Sequence, residues 1–185
     1  MRKRFIIIIV VLVMIVPSAP IFARSDNDIA LGVQLGFLAT GVVADINIGP
    51  ISLNAGVNYP IGWTYLSLLT GNVDSTAFPA LFSVTADATF PISLSEDFYL
   101  KIGASTLGFT DFETGIIGVL GPCIKGEYWI PYRDYALFVN LNVPIMLYGA
   151  FGDFIGDSSA SGVYFSPYLT LFGLATTTAG ILWSF

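Results

Sequence analysis

An alternation of apolar residues with small or polar ones runs through most of this 185-residue chain. Over residues 29–37, Ile, Leu, Val, Leu and Phe occupy the odd positions, and Ala, Gly, Gln and Gly occupy the even ones. The pattern returns over residues 51–62 and 135–148. Because a period of two indicates β-strands with two unlike faces, the chain is predicted to be all-β.

Segments rich in Gly, Pro, Asp and Ser divide the chain beyond residue 28 into eight predicted strands. These turn segments are residues 39–41, 49–50, 70–74, 95–97, 111–115, 131–134 and 156–162. Short turns alternate with longer loops, which is typical of barrels that span a membrane. We therefore expect an eight-stranded antiparallel up-and-down transmembrane β-barrel.

The low charge of the chain argues against a water-facing surface. Charged residues make up 11% of the sequence, whereas soluble domains use about 25%. A soluble lipocalin-like barrel or β-sandwich would face water with Gly, Asn and Pro, so both are disfavoured. A bundle of membrane helices would be interrupted by polar residues and would show a period of 3.6. A lipid-facing outer surface fits the composition best.

The first 23 residues have the organisation of a secretory signal peptide. Basic residues at positions 2–4 precede an apolar run at positions 5–16, and small residues then lead to Ala23. An uncleaved membrane anchor needs about 20 apolar residues, and this run is shorter. We expect a signal peptide over residues 1–23 and the barrel over residues 24–185.

The rest of the chain lacks the residues that most catalytic sites use. Residues 24–185 carry four basic and thirteen acidic residues, a net charge of −9, which excludes nucleic acid as a plausible partner. The sequence contains no histidine, the commonest general acid–base residue and a frequent metal ligand. Its one cysteine, Cys123, is expected to be a small interior residue. The protein is therefore predicted to be a non-enzyme with neither cofactor nor metal site.

Several charged residues are predicted to face the barrel interior, which we call the lumen. Reflecting the strands about their turns places Asp87 opposite Lys101, and Lys101 opposite Glu127. An unpaired ion in a narrow lumen is costly, so we expect a salt-bridged lumen charge network, with a proton or ion path as the alternative. Asp45 is expected to extend this polar layer. The predicted network consists of Asp87, Lys101, Lys125 and Glu127.

Apolar residues of the same inward parity cluster near the longer loops. They are interpreted either as a pocket for small hydrophobic molecules or as side chains that fill an eight-stranded barrel. The predicted pocket comprises Leu81, Leu107, Phe109, Ile117, Val119, Met146, Tyr148 and Phe172.

Two prolines mark a possible weak point in the barrel wall. Reflection places Pro122 opposite Val143 and next to Pro144, and proline lacks the N–H that a strand pair needs. One hypothesis is a lateral opening between the lumen and the membrane at these two prolines. The alternative is a pair of bulges near the rim.

The final predicted hairpin is longer than a membrane requires. Odd positions stay on one face from residue 163 to residue 185, whereas a spanning strand needs about 9–11 residues. Residues 135 and 185 are symmetric about residue 160, so the last two strands are predicted to form one long hairpin. Its aromatic outer part could pair with an extracellular partner by strand addition or could fold over the lumen.

The chain ends in TTTAGILWSF, with alternate apolar residues before a terminal Phe. Over its whole mature length, the chain resembles the small eight-stranded outer-membrane barrels of diderm bacteria, the class of OmpX, the OmpA membrane domain and OmpW. The resemblance implies a location in the bacterial cell outer membrane, contact with its lipid, and recognition of Trp183 and Phe185 by the barrel assembly machinery.

Two functions follow as expectations. An apolar chamber above a polar plug resembles the OmpW family, which is associated with small hydrophobic compounds, so the first is a pocket or narrow passage for such molecules. The second is a non-transporting structural or surface-interaction barrel that uses its long final hairpin.

Overall fold

The computed structural model describes residues 29–71, 81–112, 115–150 and 161–184. The predicted signal peptide and Phe185 lie outside these residues. The described elements are β1 (Ile29–Gly36), β2 (Thr40–Ile48), β3 (Ile51–Tyr59), α1 (Ile61–Leu69), β4 (Phe82–Ser93), β5 (Phe98–Thr110), β6 (Ile116–Trp129), β7 (Tyr135–Asn142), β8 (Met146–Ala150), β9 (Ser161–Phe165), a 3₁₀ helix (Pro167–Phe172) and β10 (Thr178–Ser184).

These strands close into an antiparallel barrel of eight strands, as the alternation and the turns predicted. Each of β1 to β6 pairs with the next. The seventh barrel strand consists of β7 and β8, which both pair with β6. The eighth consists of β9, which pairs with β8, and β10, which pairs with β7 and closes the barrel on β1.

The outer face of the barrel is apolar, and most side chains on the inner face are polar. On β1, the outward side chains of Leu31, Val33 and Leu35 are 50%, 47% and 69% exposed, whereas the inward Gln34 is buried. The other strands repeat this arrangement, with Asp, Asn, Ser, Thr and Lys side chains on the inner face. The distribution is the reverse of that in a soluble barrel, in which apolar residues fill the interior.

The tip of the first hairpin, residues 37–39, leans over one end of the lumen. The inward-facing Ser83 of β4 donates a hydrogen bond to the carbonyl of Leu38, in the turn between β1 and β2, at 2.7 Å. Because β3 lies between β2 and β4, this bond reaches past one strand. The backbone N–H of Gly62 donates to the Phe37 carbonyl at 2.7 Å. The tip is therefore held by β4 and by the start of α1.

The third predicted strand is shorter than the alternation through residue 62 indicated. Strand β3 ends at Tyr59, and α1 begins at Ile61 directly after Pro60. A proline is tolerated at a helix start because its missing N–H would have no intrahelical partner there. No helix in the described ranges is long and apolar enough to cross a membrane.

The seventh barrel strand contains a bulge at residues 143–145. Cys123 lies opposite Asn142, and Leu120 lies opposite Met146. Two residues of β6 therefore face three residues of the partner strand. One extra residue reverses the facing of every side chain beyond it, so even-numbered residues face inward on β7 and outward on β8.

The eighth barrel strand contains a larger interruption. Asn140 lies opposite Thr178, and Met146 lies opposite Phe165. Five residues, 141–145, thus face the twelve residues 166–177, which form the 3₁₀ helix and its flanks. The last two barrel strands pair with each other at both ends of the hairpin, as predicted. The predicted register is wrong, because Tyr135 lies opposite Trp183 and not opposite residue 185, and the prediction of one uninterrupted ladder is wrong as well.

Candidate functional site

Four ionised side chains meet in the lumen. Asp45 lies 3.1 Å from the Lys101 ammonium and 2.8 Å from the Lys125 ammonium. Glu127 Oε2 lies 2.8 Å from Lys101 Nζ and 3.4 Å from Lys125 Nζ. Each side chain is at most 2% exposed. We call these four residues the lumen charge network.

The lumen charge network crosses the bore. Asp45 lies on β2 and Lys125 on β6, and these strands are four positions apart in a closed order of eight, on opposite sides of the barrel. A contact of 2.8 Å joins these side chains from opposite walls. The network therefore spans the lumen at this level of the barrel.

Neutral side chains fix the network in place. Ser52 donates to Asp45 at 3.1 Å and accepts from Lys101 at 2.9 Å. The Trp129 indole N–H donates to Glu127 Oε1 at 2.8 Å. The Lys125 ammonium also lies 4.6 Å from the centre of the Phe138 ring. Such additional contacts are needed because pairing alone seldom offsets the desolvation of buried ions.

The predicted register of the charged strands is wrong, although the inward facing is right. Lys101 lies opposite Pro91 and Lys125, whereas Asp87 lies opposite Ser105. The reflection misplaced the β4–β5 pairing by four residues and the β5–β6 pairing by two. Even-numbered slips keep each side chain on its face. Lys101 still reaches Glu127, but Asp87 makes no direct ion pair within the described residues.

Asp45 is the member whose central position the sequence reasoning missed. It was expected to extend the polar layer, and it instead contacts both lysines. One signal was available, because Asp45 is the only charged residue between positions 29 and 71. A lone inward charge requires a partner from a distant strand, and the sequence does not identify that strand.

Two further polar groups line the lumen beside the network. Gln34 donates to Asn58 at 2.8 Å and to Thr85 at 3.2 Å, which connects β1, β3 and β4 across the inner face. Asp87 accepts a hydrogen bond from the side-chain amide of Asn140 at 2.9 Å. Polar side chains thus tie together several parts of the inner wall.

An apolar patch covers the inner wall on the side of the longer loops. Leu107 lies opposite Val119, and Phe109 lies opposite Ile117, so four predicted pocket residues form a contiguous group on β5 and β6. Leu147 of β8 lies opposite Val119 and extends the group. Leu107, Phe109, Ile117, Val119 and Leu147 are hereafter the outer chamber. The predicted Leu81, which directly precedes β4, is half-buried.

Two predicted pocket residues face away from the lumen. The bulge turns Met146 and Tyr148 to the outer face, where the Tyr148 hydroxyl lies 2.7 Å from Thr106 Oγ1. The Tyr148 ring covers Gly118, which has no room for a side chain. The same one-residue shift brings Leu147 inward, and the uninterrupted alternation in the sequence gave no sign of it.

Phe172 also lies outside the outer chamber. The sequence predicted it to be a strand residue of inward parity, but it belongs to the 3₁₀ helix and is 60% exposed. The interruption at residues 166–177 removes it from the barrel wall. The neighbouring Tyr168 and Leu171 are 79% and 80% exposed.

The two prolines lie where the sequence placed them. Pro122 faces Val143, whose N–H donates to the Pro122 carbonyl at 2.9 Å, and the Ile145 N–H donates to the Leu120 carbonyl at 3.0 Å. Hydrogen bonds on both sides of Pro144 keep the wall joined in this conformation. A lateral opening at Pro122 and Pro144 stays a prediction.

The closing strand places Trp183 on the outer face, opposite Tyr135 on one side and Leu31 on the other. Trp183 is 41% exposed. Its role in recognition by an assembly machinery stays a prediction.

No family model matches the chain, and no curated protein matches its sequence. The described residues contain no group of three or more His, Cys, Asp or Glu side chains that could hold a metal ion.

Proposed function

We propose that this protein is an integral barrel of the bacterial outer membrane that binds small hydrophobic molecules in its outer chamber. The proposed role is non-enzymatic. The outer face carries the proposal: exposed apolar side chains surround a barrel whose buried interior is polar. Such a surface is stable in lipid and costly in water.

The turns support one orientation of the proposed membrane barrel. Tight turns connect β2 to β3, β4 to β5 and β6 to β7 at one end of the barrel. Barrels of the outer membrane have short turns on the periplasmic side and longer loops outside the cell. In this orientation the outer chamber faces the cell exterior, and the lumen charge network separates it from the periplasm.

A bound molecule would meet apolar walls and a polar floor. The outer chamber offers aliphatic and aromatic carbon on three adjacent strands, which favours ligands that gain from leaving water. Because the lumen charge network crosses the bore, binding is favoured over free passage. Release into the membrane would require opening of the wall, for which Pro122 and Pro144 are the predicted place.

A matched pair of substitutions tests the outer chamber. Val119→Trp fills the outer chamber, whereas Leu120→Trp, at the next residue, places the same side chain on the outer face of the barrel. With the barrel in phospholipid nanodiscs, we expect saturation transfer from protein to indole in the wild type and in Leu120→Trp. We expect at least a tenfold weaker signal in Val119→Trp. Equal signals in all three proteins would contradict binding in the outer chamber.

The second candidate function is surface interaction through the last hairpin. Within the described residues β9 pairs only with β8, so its other edge carries no strand. Val163 and Phe165 are 63% and 68% exposed. An unpaired edge beside apolar side chains can accept a strand from a partner.

Absence of both indole binding and planar-bilayer conductance would favour this second function. Val163→Lys should then reduce adhesion of cells that display the barrel. Tyr132→Lys, at a fully exposed position in the short turn at the opposite end, is the control and should leave adhesion unchanged.

A further inference from the structure

The buried charges of the lumen do not balance. Within the described ranges, three carboxylates and two ammonium groups are buried, which leaves one negative charge in excess. The carboxylates are Asp45, Asp87 and Glu127, and the ammonium groups are Lys101 and Lys125. Because Asp45 and Glu127 each contact both lysines, the excess charge belongs to Asp87.

The direct hydrogen-bond partners of Asp87 are neutral. Its Oδ2 atom accepts from Asn140 Nδ2 at 2.9 Å, and its Oδ1 atom is buried without a hydrogen-bond partner in the described structure. Asp87 is 6% exposed, so water does not screen it as at a surface. The ammonium group of Lys125 is held by Asp45 and Glu127. A buried carboxylate in these surroundings requires a positive charge or a proton.

Unpartnered oxygens lie beside this carboxylate. The side-chain oxygens of Asn140 and Asn142 are buried and have no hydrogen-bond partner in the described structure. The two residues are 8% and 4% exposed. Asn142 belongs to the same group of side chains, because its amide donates to Ser105 Oγ at 3.2 Å and Ser105 lies directly opposite Asp87. Two buried acceptors without donors therefore accompany an unbalanced carboxylate.

We propose that the lumen binds one monovalent cation, Na⁺ or K⁺, between Asp87 and the side-chain oxygens of Asn140 and Asn142. Carboxylate and amide oxygens are the ligands that hard cations prefer. A single positive charge makes the buried charges neutral, whereas a divalent ion leaves a positive excess. The site reaches across the lumen from β4 to β7 and lies beside the lumen charge network, because Asn140 is the cross-strand partner of Lys125. It does not depend on a ligand in the outer chamber.

Thallium(I), a monovalent cation with a strong anomalous signal, tests the site directly. Crystals of the folded barrel grown in thallium acetate should show one anomalous peak within contact distance of Asp87, Asn140 and Asn142. The peak should be absent from Asp87→Asn, which removes the charge and retains the shape. It should persist in Asp134→Asn, which neutralises an exposed turn carboxylate.

Stability provides a second readout. Replacing NaCl by choline chloride at equal ionic strength should lower the melting temperature of the wild type. The expected decrease is roughly 3–5 °C for each factor of ten by which the Na⁺ concentration exceeds the Kd of the site for Na⁺. Asn142→Ala, which retains the charge, should weaken this dependence and so tests the site even if Asp87→Asn does not fold. The proposal would be overturned if no anomalous peak appeared and the protein were equally stable in both salts. Water or a proton would then satisfy Asp87.

Discussion

The inner half of the barrel, toward the short turns, differs from the outer half in regularity. In the inner half, β1 to β7 and β10 keep one register along each pairing. The outer half contains α1, the bulge at residues 143–145 and the interruption at residues 166–177. The lumen of the inner half holds the lumen charge network and one buried apolar cluster, and the lumen of the outer half is lined by the outer chamber. The apolar cluster consists of Ala30, Val43, Ala136, Phe138 and Leu182. The lumen charge network thus lies among regularly paired strands. The candidate binding surface lies on the regular β5–β6 pair and on β8, which follows the bulge.

Each of these three interruptions of regular strand pairing in the outer half coincides with a proline. Pro60 precedes α1, Pro144 lies in the bulge and Pro167 starts the 3₁₀ helix. Proline cannot donate to a strand ladder, so it ends or distorts pairing. Yet Pro91 and Pro122 remain within the continuous strands β4 and β6. Proline therefore marks positions where strand pairing can be interrupted, and the neighbouring contacts decide whether the interruption occurs.

Breaking the lumen charge network should have the largest effect. Among the described residues, Asp45→Asn leaves Glu127 as the only carboxylate in contact with the two buried lysines. Removing one partner of a buried ionic group costs about 3–5 kcal/mol. Urea-induced unfolding in phospholipid vesicles, followed by tryptophan fluorescence and gel mobility, measures this loss. Asp134→Asn is the exposed control. If both variants unfold at the wild-type midpoint, the inner half is not held by its charges.

A smaller effect is expected where the bulge meets β6. A Cβ on Gly121 would overlap the Val143 carbonyl oxygen, so Gly121→Ala must displace backbone at about 1–3 kcal/mol. Gly126→Ala on the same strand meets only the Phe98 ring, at 3.6 Å, and should cost less than about 0.5 kcal/mol. The same unfolding assay compares them. Similar midpoints for the two variants would show that the close approach at Gly121 does not constrain the outer half.

The reversed facing of β8 predicts the smallest effect. Tyr148 and Thr106 are joined by a hydrogen bond on the outer face at 2.7 Å. A double-mutant cycle of Tyr148→Phe and Thr106→Val should give a coupling of about 0.5–1.5 kcal/mol. A second cycle that combines Tyr128→Phe with Thr106→Val is the control and should give none. Zero coupling in the first cycle would favour a Tyr148 that faces the lumen, as uninterrupted alternation predicted.

Much of the inner half was predictable because its alternation is local. Parity placed Asp87, Lys101, Lys125 and Glu127 inside, and all four are buried there. The predicted register slipped by two and four residues, but even slips leave the facing of a side chain unchanged. The sequence therefore predicted which residues face the interior without a correct strand register. It did not predict the contacts among them, since Asp45 and Lys125 lie eighty residues apart and meet only when the barrel closes.

By itself, the sequence determined an all-β chain of eight strands, the outward facing of its apolar residues and the polar content of its interior. Each of these depends on the two-residue period of a strand, which neighbouring residues set. Only the tertiary structure decided the register, the central place of Asp45, and the exchange of Leu147 for Met146 and Tyr148. These depend on cross-strand hydrogen bonds, and a single extra residue at Pro144 reverses the facing of β8 without altering the alternation in the sequence.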